Sequence, residues 1–267
     1  MAVRRGAASL HRRAVYAAAG LVFAFLMLPL AVILPVSFTA SDYLGFPPPG
    51  FSLRWYRAFF GDSVWIAATL RSFAIAGAVT VLATVLGTLL AFSIVRGRYP
   101  GRGIVSQIAT APLAVPTIVY SVAVYGLFSA LKLVGHWQGI ALAHTVHALP
   151  FVVLIMGAAL RTVDPTQEQA AMGLGASRLG AILRVTLPQL RPALISSAFL
   201  AFISSFDELV IAMFLGGTNM TLPKKMFDNI QMEIEPTVAA VAMLQIALAA
   251  LVLALAARFG SGAKVLN

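Results

Sequence analysis

Gln169-Ala170-Ala171-Met172-Gly173-Leu174-Gly175, followed nine residues later by Val185-Thr186-Leu187-Pro188, decides how this chain is organised. The stretch carries Arg178 and Arg184 and lies between two long apolar runs. Asp164-Pro165 just upstream marks a helix start. An Asp carboxylate accepts from a free backbone N–H, Pro suits the first helical position, and Gln167 sits three residues after the cap. The spacing predicts a short helix to about Leu174 and a turn at Gly175 that needs positive φ. A second short helix follows, capped by Ser177 and closed by Pro188. Small residues at Ala170, Ala171, Gly173, Gly175 and Ala176 let a partner's backbone or ring come close. A link between neighbouring helices needs only a few residues, so ~30 residues of capped helix read as a docking element for something outside the membrane.

The membrane is inferred from what flanks this stretch. Hydrophobic residues make up 60% of 267 positions and charged residues 10%, against roughly 25% charged in a soluble domain. Such an excess exceeds what a core can hold, so the chain reads as an integral membrane protein. Six spans of ~20 apolar residues can be placed, at about 14–36, 70–95, 104–130, 140–160, 192–215 and 237–257. Arg4, Arg5, Arg12 and Arg13 precede the first like the n-region of a signal peptide. That apolar run is too long for a cleaved signal, so a retained anchor is expected.

With the N-terminus inside, the inner segments hold Arg4, Arg5, Arg12, Arg13, Arg96, Arg98, Arg102, Arg161, Arg178, Arg184, Arg191, Arg258 and Lys264, thirteen of the 19 basic residues. This bias predicts cytoplasmic termini and an even number of spans. It also accounts for the net charge of +10 without nucleic acid, for which no basic, aromatic-lined soluble domain is present. Cysteine is absent, which excludes disulfides and thiolate sites. The outer segment at 38–69 holds Trp55, Tyr56, Phe59, Phe60 and Trp65, predicting a short interfacial helix with aromatic anchors. The outer segment at 216–236, with Lys224, Lys225, Asp228, Glu233 and Glu235, reads either as a solvated loop or as a docking place for a partner outside the membrane.

The quoted stretch resembles a known family. Glu-Ala-Ala, three residues, Gly, nine residues, Ile-x-Leu-Pro marks the inner-membrane permeases of binding-protein-dependent ABC importers. This chain matches at Ala170, Ala171, Gly175, Leu187 and Pro188, with Gln169 at the usual Glu, Glu168 just before it, and Val185 at the usual Ile. The resemblance implies an all-α type I importer permease fold of six transmembrane helices, a single permease domain over 1–267. In it the 161–191 segment is the coupling helix that docks on an ATPase, between spans four and five. It further implies a bacterial inner membrane, two copies of a cytoplasmic ABC ATPase that bind ATP and Mg, and a second homologous permease. A periplasmic or lipid-anchored substrate-binding protein and membrane lipid complete the partners. The chain has no Gly-Lys pair and so no phosphate-cradling Walker A loop, which leaves ATP hydrolysis to a separate subunit. No cofactor is expected in this chain.

Candidates for a translocation path sit in the apolar runs. Asp207 and Glu208 interrupt the fifth. A charge near a helix centre costs ~2.5–3.5 kcal/mol on insertion scales, so such acids face a cavity or a partner. Ser197, Ser204 and Glu208 fall on one face of a continuous helix. These residues suit either a counter-charge for a cationic substrate, or an ion pair or cap at a helix interface. Pro112 and Pro116 predict a kinked or unwound third span, with Tyr120 and Tyr125 able to stack on an ammonium group. His144 and His147 share a face of the fourth, but too few further ligands accompany them for a metal site, and none is expected.

Ser205-Phe206-Asp207-Glu208-Leu209-Val210-Ile211 and Thr221-Leu222-Pro223-Lys224-Lys225-Met226-Phe227 resemble the polyamine branch of the family, in particular the second permease of spermidine/putrescine importers. Two other classes compete. One is a self-sufficient ion-coupled transporter or channel for a small cation. The other is an intramembrane enzyme built on His144, His147, Asp207 and Glu208.

Overall fold

A computed structural model describes residues 2–232 and 234–260; Glu233 and Lys264, assigned above to the outer and inner segments, lie outside the described residues. The elements are α1 (Ala2–Ser37), α2 (Arg54–Gly61), α3 (Ser63–Arg96), α4 (Arg102–Thr110), a 3₁₀ turn (Ala111–Ala114), α5 (Thr117–Ala130), α6 (Trp137–Thr162), α7 (Thr166–Gly173), α8 (Arg178–Ala181), a π-helical turn (Ile182–Thr186), α9 (Leu187–Gln189), α10 (Arg191–Phe206), α11 (Val210–Leu215), α12 (Leu222–Met232) and α13 (Thr237–Gly260). Among the described residues, extended pairing is limited to a bridge between Thr39 and Phe51. Val15–Ser37, Ser63–Arg96, Trp137–Thr162 and Thr237–Leu255 are each long and apolar enough to cross a membrane. Two bent pairs reach that length only when joined: Arg102–Ala114 with Thr117–Ala130, at 110°, and Arg178–Gln189 with Arg191–Phe206, at 75°.

The chain divides into two compact units, one running to Asp62 and taking in Asn229–Ile246, the other holding Ser63–Asp228 and the chain from Ala247. In the first, the predicted interfacial helix is α2. Its aromatic residues are not all headgroup anchors, however. Trp55 and Phe59 are buried, and Phe60 is exposed. An indole N–H leaves water only for a partner, and Trp55 Nε1 donates to the Ser41 carbonyl at 3.2 Å. Tyr56 donates to Ser37 Oγ at 2.9 Å, and Arg54 pairs with Asp42.

In the second unit α3 packs along α6 and α10, and α11 packs against α5 and α6. Val79, Ala83, Gly87 and Ala91 recur every four residues on one face of α3, so the backbones approach closely. A Cβ at Gly87 would lie 2.6 Å from Val152 Cβ on α6. Ile75, Val152, Met156, Leu160, Ile211 and Leu215 fill the core around this seam. Trp65, also expected as an anchor, is buried here, with the Lys225 ammonium 5.2 Å from its ring centroid.

The break expected at Pro112 and Pro116 is present: the 104–130 span is two helices joined at the 3₁₀ turn, with Pro112 in that turn and Pro116 at the N-cap of α5. Two other sequence expectations need correction. The 192–215 span is not one helix, because Asp207–Leu209 separate α10 from α11. Ser197 and Ser204 therefore share α10, while Glu208 lies beyond its end. The 216–236 segment is not a simple solvated loop: it folds into α12, supported by an i,i+4 pair between Lys224 and Asp228 at 2.8 Å.

Candidate functional site

Two regions of the second unit bring the sequence-predicted residues into defined geometry. The first is Asp164–Leu190. Asp164 Oδ1 accepts from the Thr166 N–H at 2.9 Å, so the cap operates although α7 begins one residue later than expected. The same bond holds the Asp164 carboxyl below the usual carboxylate range. Gln167 does not reach back to complete a capping box; its Oε1 accepts from Gln189 Nε2 at 2.8 Å instead. At the other end Gly175 has φ +93°. Gly175 N–H donates to the Met172 carbonyl at 3.0 Å and Ala176 N–H to the Ala171 carbonyl at 3.1 Å, the two bonds of a Schellman turn. Ser177 Oγ accepts from Gly180 N–H at 3.1 Å and starts α8.

Pro188 does not close this second helix. Leu187 N–H bonds back five residues to the Ile182 carbonyl, and the widened π turn carries the chain past a residue that lacks an N–H. Pro188 thus stands in the first turn of α9. Glu168 is turned inward, accepting from the buried Thr186 hydroxyl at 2.6 Å and tying α7 to the π turn. Gln169 and Ala170 are exposed, and Ala171, Leu187 and Pro188 are half-buried. Leu174 is 91% exposed and Leu179 65%. Both leucines stand out from the capped bend.

The second region is the junction at 205–211. Glu208 Oε1 accepts from Val210 N–H at 3.2 Å and Oε2 from Ile211 N–H at 2.7 Å, so the carboxylate caps α11. Its side chain is only 8% exposed, and Oε2 stands 3.6 Å from Nε2 of the buried His144. His144 Nδ1 lies 2.9 Å from Ser205 Oγ. The arrangement that suits all three groups puts the imidazole proton on Nε2, toward the carboxylate, and has Ser205 donate to Nδ1. Tyr120 donates to the Ala143 carbonyl at 2.8 Å, and its ring centroid is 6.1 Å from that of His147. Phe206 closes the end of α10, packed on Phe73 and Phe202.

Asp207 differs from its neighbour. It is exposed, and among the described residues its carboxylate has neither a hydrogen-bond nor an ion-pair partner. Ser204 is half-buried, Ser197 is buried and donates to the Leu194 carbonyl at 3.1 Å, and Tyr125 is exposed. Glu208, Tyr120 and both histidines are thus brought into one polar cluster, and Tyr125 is not. Ser205 was missed by sequence reasoning. Its place at the head of the Ser205–Ile211 stretch, three residues before Glu208, was the signal available.

Residues 83–264, which contain both regions, match the family described as the binding-protein-dependent transport system inner membrane component. This chain belongs to that family. The permease is 35% identical over 230 residues to the putrescine transport system permease protein PotI of Escherichia coli strain K12, covering 83% of this chain and 82% of PotI. It is 32% identical over 229 residues to the spermidine/putrescine transport system permease protein PotC of Haemophilus influenzae, covering 85% and 88%. Among solved structures, a bacterial ABC transporter that imports the acidic polysaccharide alginate has a chain superposing with TM-score 0.74 at 16% identity, over 91% of this chain and 95% of that one. The permease therefore has the fold of ABC importer membrane subunits.

Proposed function

We propose that this permease is the membrane subunit of an ATP-driven importer for polyamines or a closely related small organic cation. It works by alternating access in a bacterial inner membrane. The whole chain acts as one permease domain of six spans, with Arg102–Ala130 and α10 with α11 each contributing one broken span, and both termini in the cytoplasm. ATP and Mg are bound by two copies of a separate ATPase. A second homologous permease and a periplasmic or lipid-anchored binding protein complete the machine.

The observation that carries the substrate reading is a carboxylate pair at an unwound break in an apolar span, in a chain 35% identical to a putrescine permease. The two acids divide the labour. Glu208 holds the break by capping α11 against His144. Asp207, exposed and unpartnered, supplies the counter-charge for an ammonium group, with Tyr120 and Ser204 near the same path. A polyamine brings more than one ammonium group, so the Tyr125 ring is available to stack on a second.

The 164–190 segment is the coupling element. The 75° bend between Arg178–Gln189 and α10 supports its lying across the inner face rather than extending the span. Leu174 and Leu179 are its contact with the ATPase. Closure of the ATPases on ATP moves this segment, and the bundle turns from inward-facing to outward-facing.

The test is reconstitution with and without the ATPase. ATP-dependent uptake of labelled putrescine, competed by spermidine and dependent on the ATPase, is the expected result. Uptake by the isolated chain would replace this reading with a self-sufficient transporter. ATP-dependent uptake of other solutes alone would keep the importer and remove the polyamine.

A further inference from the structure

We infer that the groove between the end of α3, the start of α4 and the α7–α8 bend holds the phosphate of an anionic phospholipid. The groove encloses about 810 Å³ and is lined by Arg96, Arg98, Arg102 and Arg178 with Glu168. Four guanidiniums against one carboxylate leave an excess of positive charge. Glu168 does not cancel it, since it is occupied by Thr186 and forms no ion pair among the described residues.

Free donors remain on each arginine. Arg96 Nη2 donates to the Val163 carbonyl at 2.6 Å and the Leu160 carbonyl at 3.4 Å, closing the end of α6, and its Nη1 makes no hydrogen bond among the described residues. Arg102 spends one nitrogen on the Gly97 carbonyl at 3.3 Å. Arg98 and Arg178 are exposed and make no hydrogen bond or ion pair among the described residues. Guanidiniums with open, forked N–H pairs match phosphate oxygens two at a time.

The shape favours a lipid over a soluble anion. A second hollow of about 240 Å³ shares Arg96 and Arg178 with the groove and opens onto Phe92 and Ile182. The site is therefore charged at one end and apolar at the other, as a headgroup with the start of its acyl chain requires. It also sits where the membrane-length α3 ends, at Arg96. Basic pockets between spans at this level attract anionic headgroups. The inference rests on the membrane-spanning reading of the chain and not on its substrate.

The test is native mass spectrometry of the full chain in detergent, offered phosphatidylglycerol and phosphatidylcholine at equal concentration. Retention of phosphatidylglycerol over phosphatidylcholine by about tenfold or more is expected. The preference should vanish in Arg98→Gln/Arg178→Gln and persist in Arg98→Lys/Arg178→Lys, which controls for folding. Equal retention of both lipids, or a preference that survives the glutamine pair, overturns the inference. Displacement of the lipid by inorganic phosphate would assign the groove to a soluble anion. A glutamine pair that loses the ATPase but keeps the lipid preference would assign it to the ATPase. Each of these also overturns it, and none depends on putrescine uptake.

Discussion

The cytoplasmic bend at 164–190 and the junction at 205–211 are both breaks between helices held by a glutamate, yet they are built on different physics. Glu168 ties α7 to the π turn through a neutral hydroxyl, and the bend around it is set by residues that act locally: Asp164, Gly175 and Ser177. Glu208 holds its break through two backbone N–H groups and a buried imidazole contributed by another helix. The first break is held by contacts within its own segment. The second exists because α6 is packed beside it. The geometry of the first depends on its own caps, and that of the second on how the bundle is packed.

The largest test of this difference is Glu208→Ala. It removes two helix-capping acceptors and leaves His144 Nε2 without its carboxylate, a loss of about 2–4 kcal/mol in all. The melting temperature of the purified chain should fall markedly. An unchanged melt would mean that the break does not depend on Glu208.

Gly175→Ala comes next. Its φ of +93° lies outside what an alanine adopts without strain, while nothing stands within 4 Å of the added Cβ. The cost should be about 1–2 kcal/mol, confined to the bend and seen as faster proteolysis there. Gly175→Trp should in addition abolish capture of the ATPase while membrane insertion remains normal. Normal assembly and transport by that variant would sink the docking idea.

Thr186→Val is expected to be milder, about 1 kcal/mol, because the half-buried Glu168 regains water when its hydroxyl donor is lost. A double-mutant cycle with Glu168→Ala reads the pair directly. Coupling near zero would show that the bend is held by its caps alone.

The smallest effect belongs to Asp164, and it is visible through pH. The Thr166 N–H holds its carboxyl below the usual range, so its contribution is complete at neutral pH. It is lost as the medium is acidified through that depressed value. Relative to the intrinsic rate at each pH, the protection of the amides in the first turn of α7 should fall on acidification. In Asp164→Asn, whose amide oxygen accepts without titrating, it should not.

This contrast also explains what could be read from the sequence. Asp164, Gly175 and Ser177 announce helix ends because their side chains or backbone freedom act within a few residues. Pro112 and Pro116 announce a break because the missing N–H is intrinsic. The four uninterrupted spans were visible as apolar runs. The break at Asp207–Leu209 carries no Gly or Pro, and the apolar run through it reads as one helix until His144 and Ser205 are in place. Pro188 misled in the opposite direction, since a π turn absorbs the clash that would otherwise end the helix. Trp55 and Trp65 read as headgroup anchors because composition alone does not reveal a buried carbonyl or a buried site. The seam at Gly87 is a matter of partner, too: its small-residue spacing acquires meaning only once α6 lies against it.

The most direct measurement is ATP-dependent uptake of labelled putrescine by the reconstituted complex carrying Asp207→Asn. The account predicts a chain that assembles and melts like the native one yet takes up putrescine about tenfold more slowly or worse, the loss of one charge pairing on the path. Native uptake by that variant would contradict it, since the exposed carboxylate would then have no part in moving the substrate.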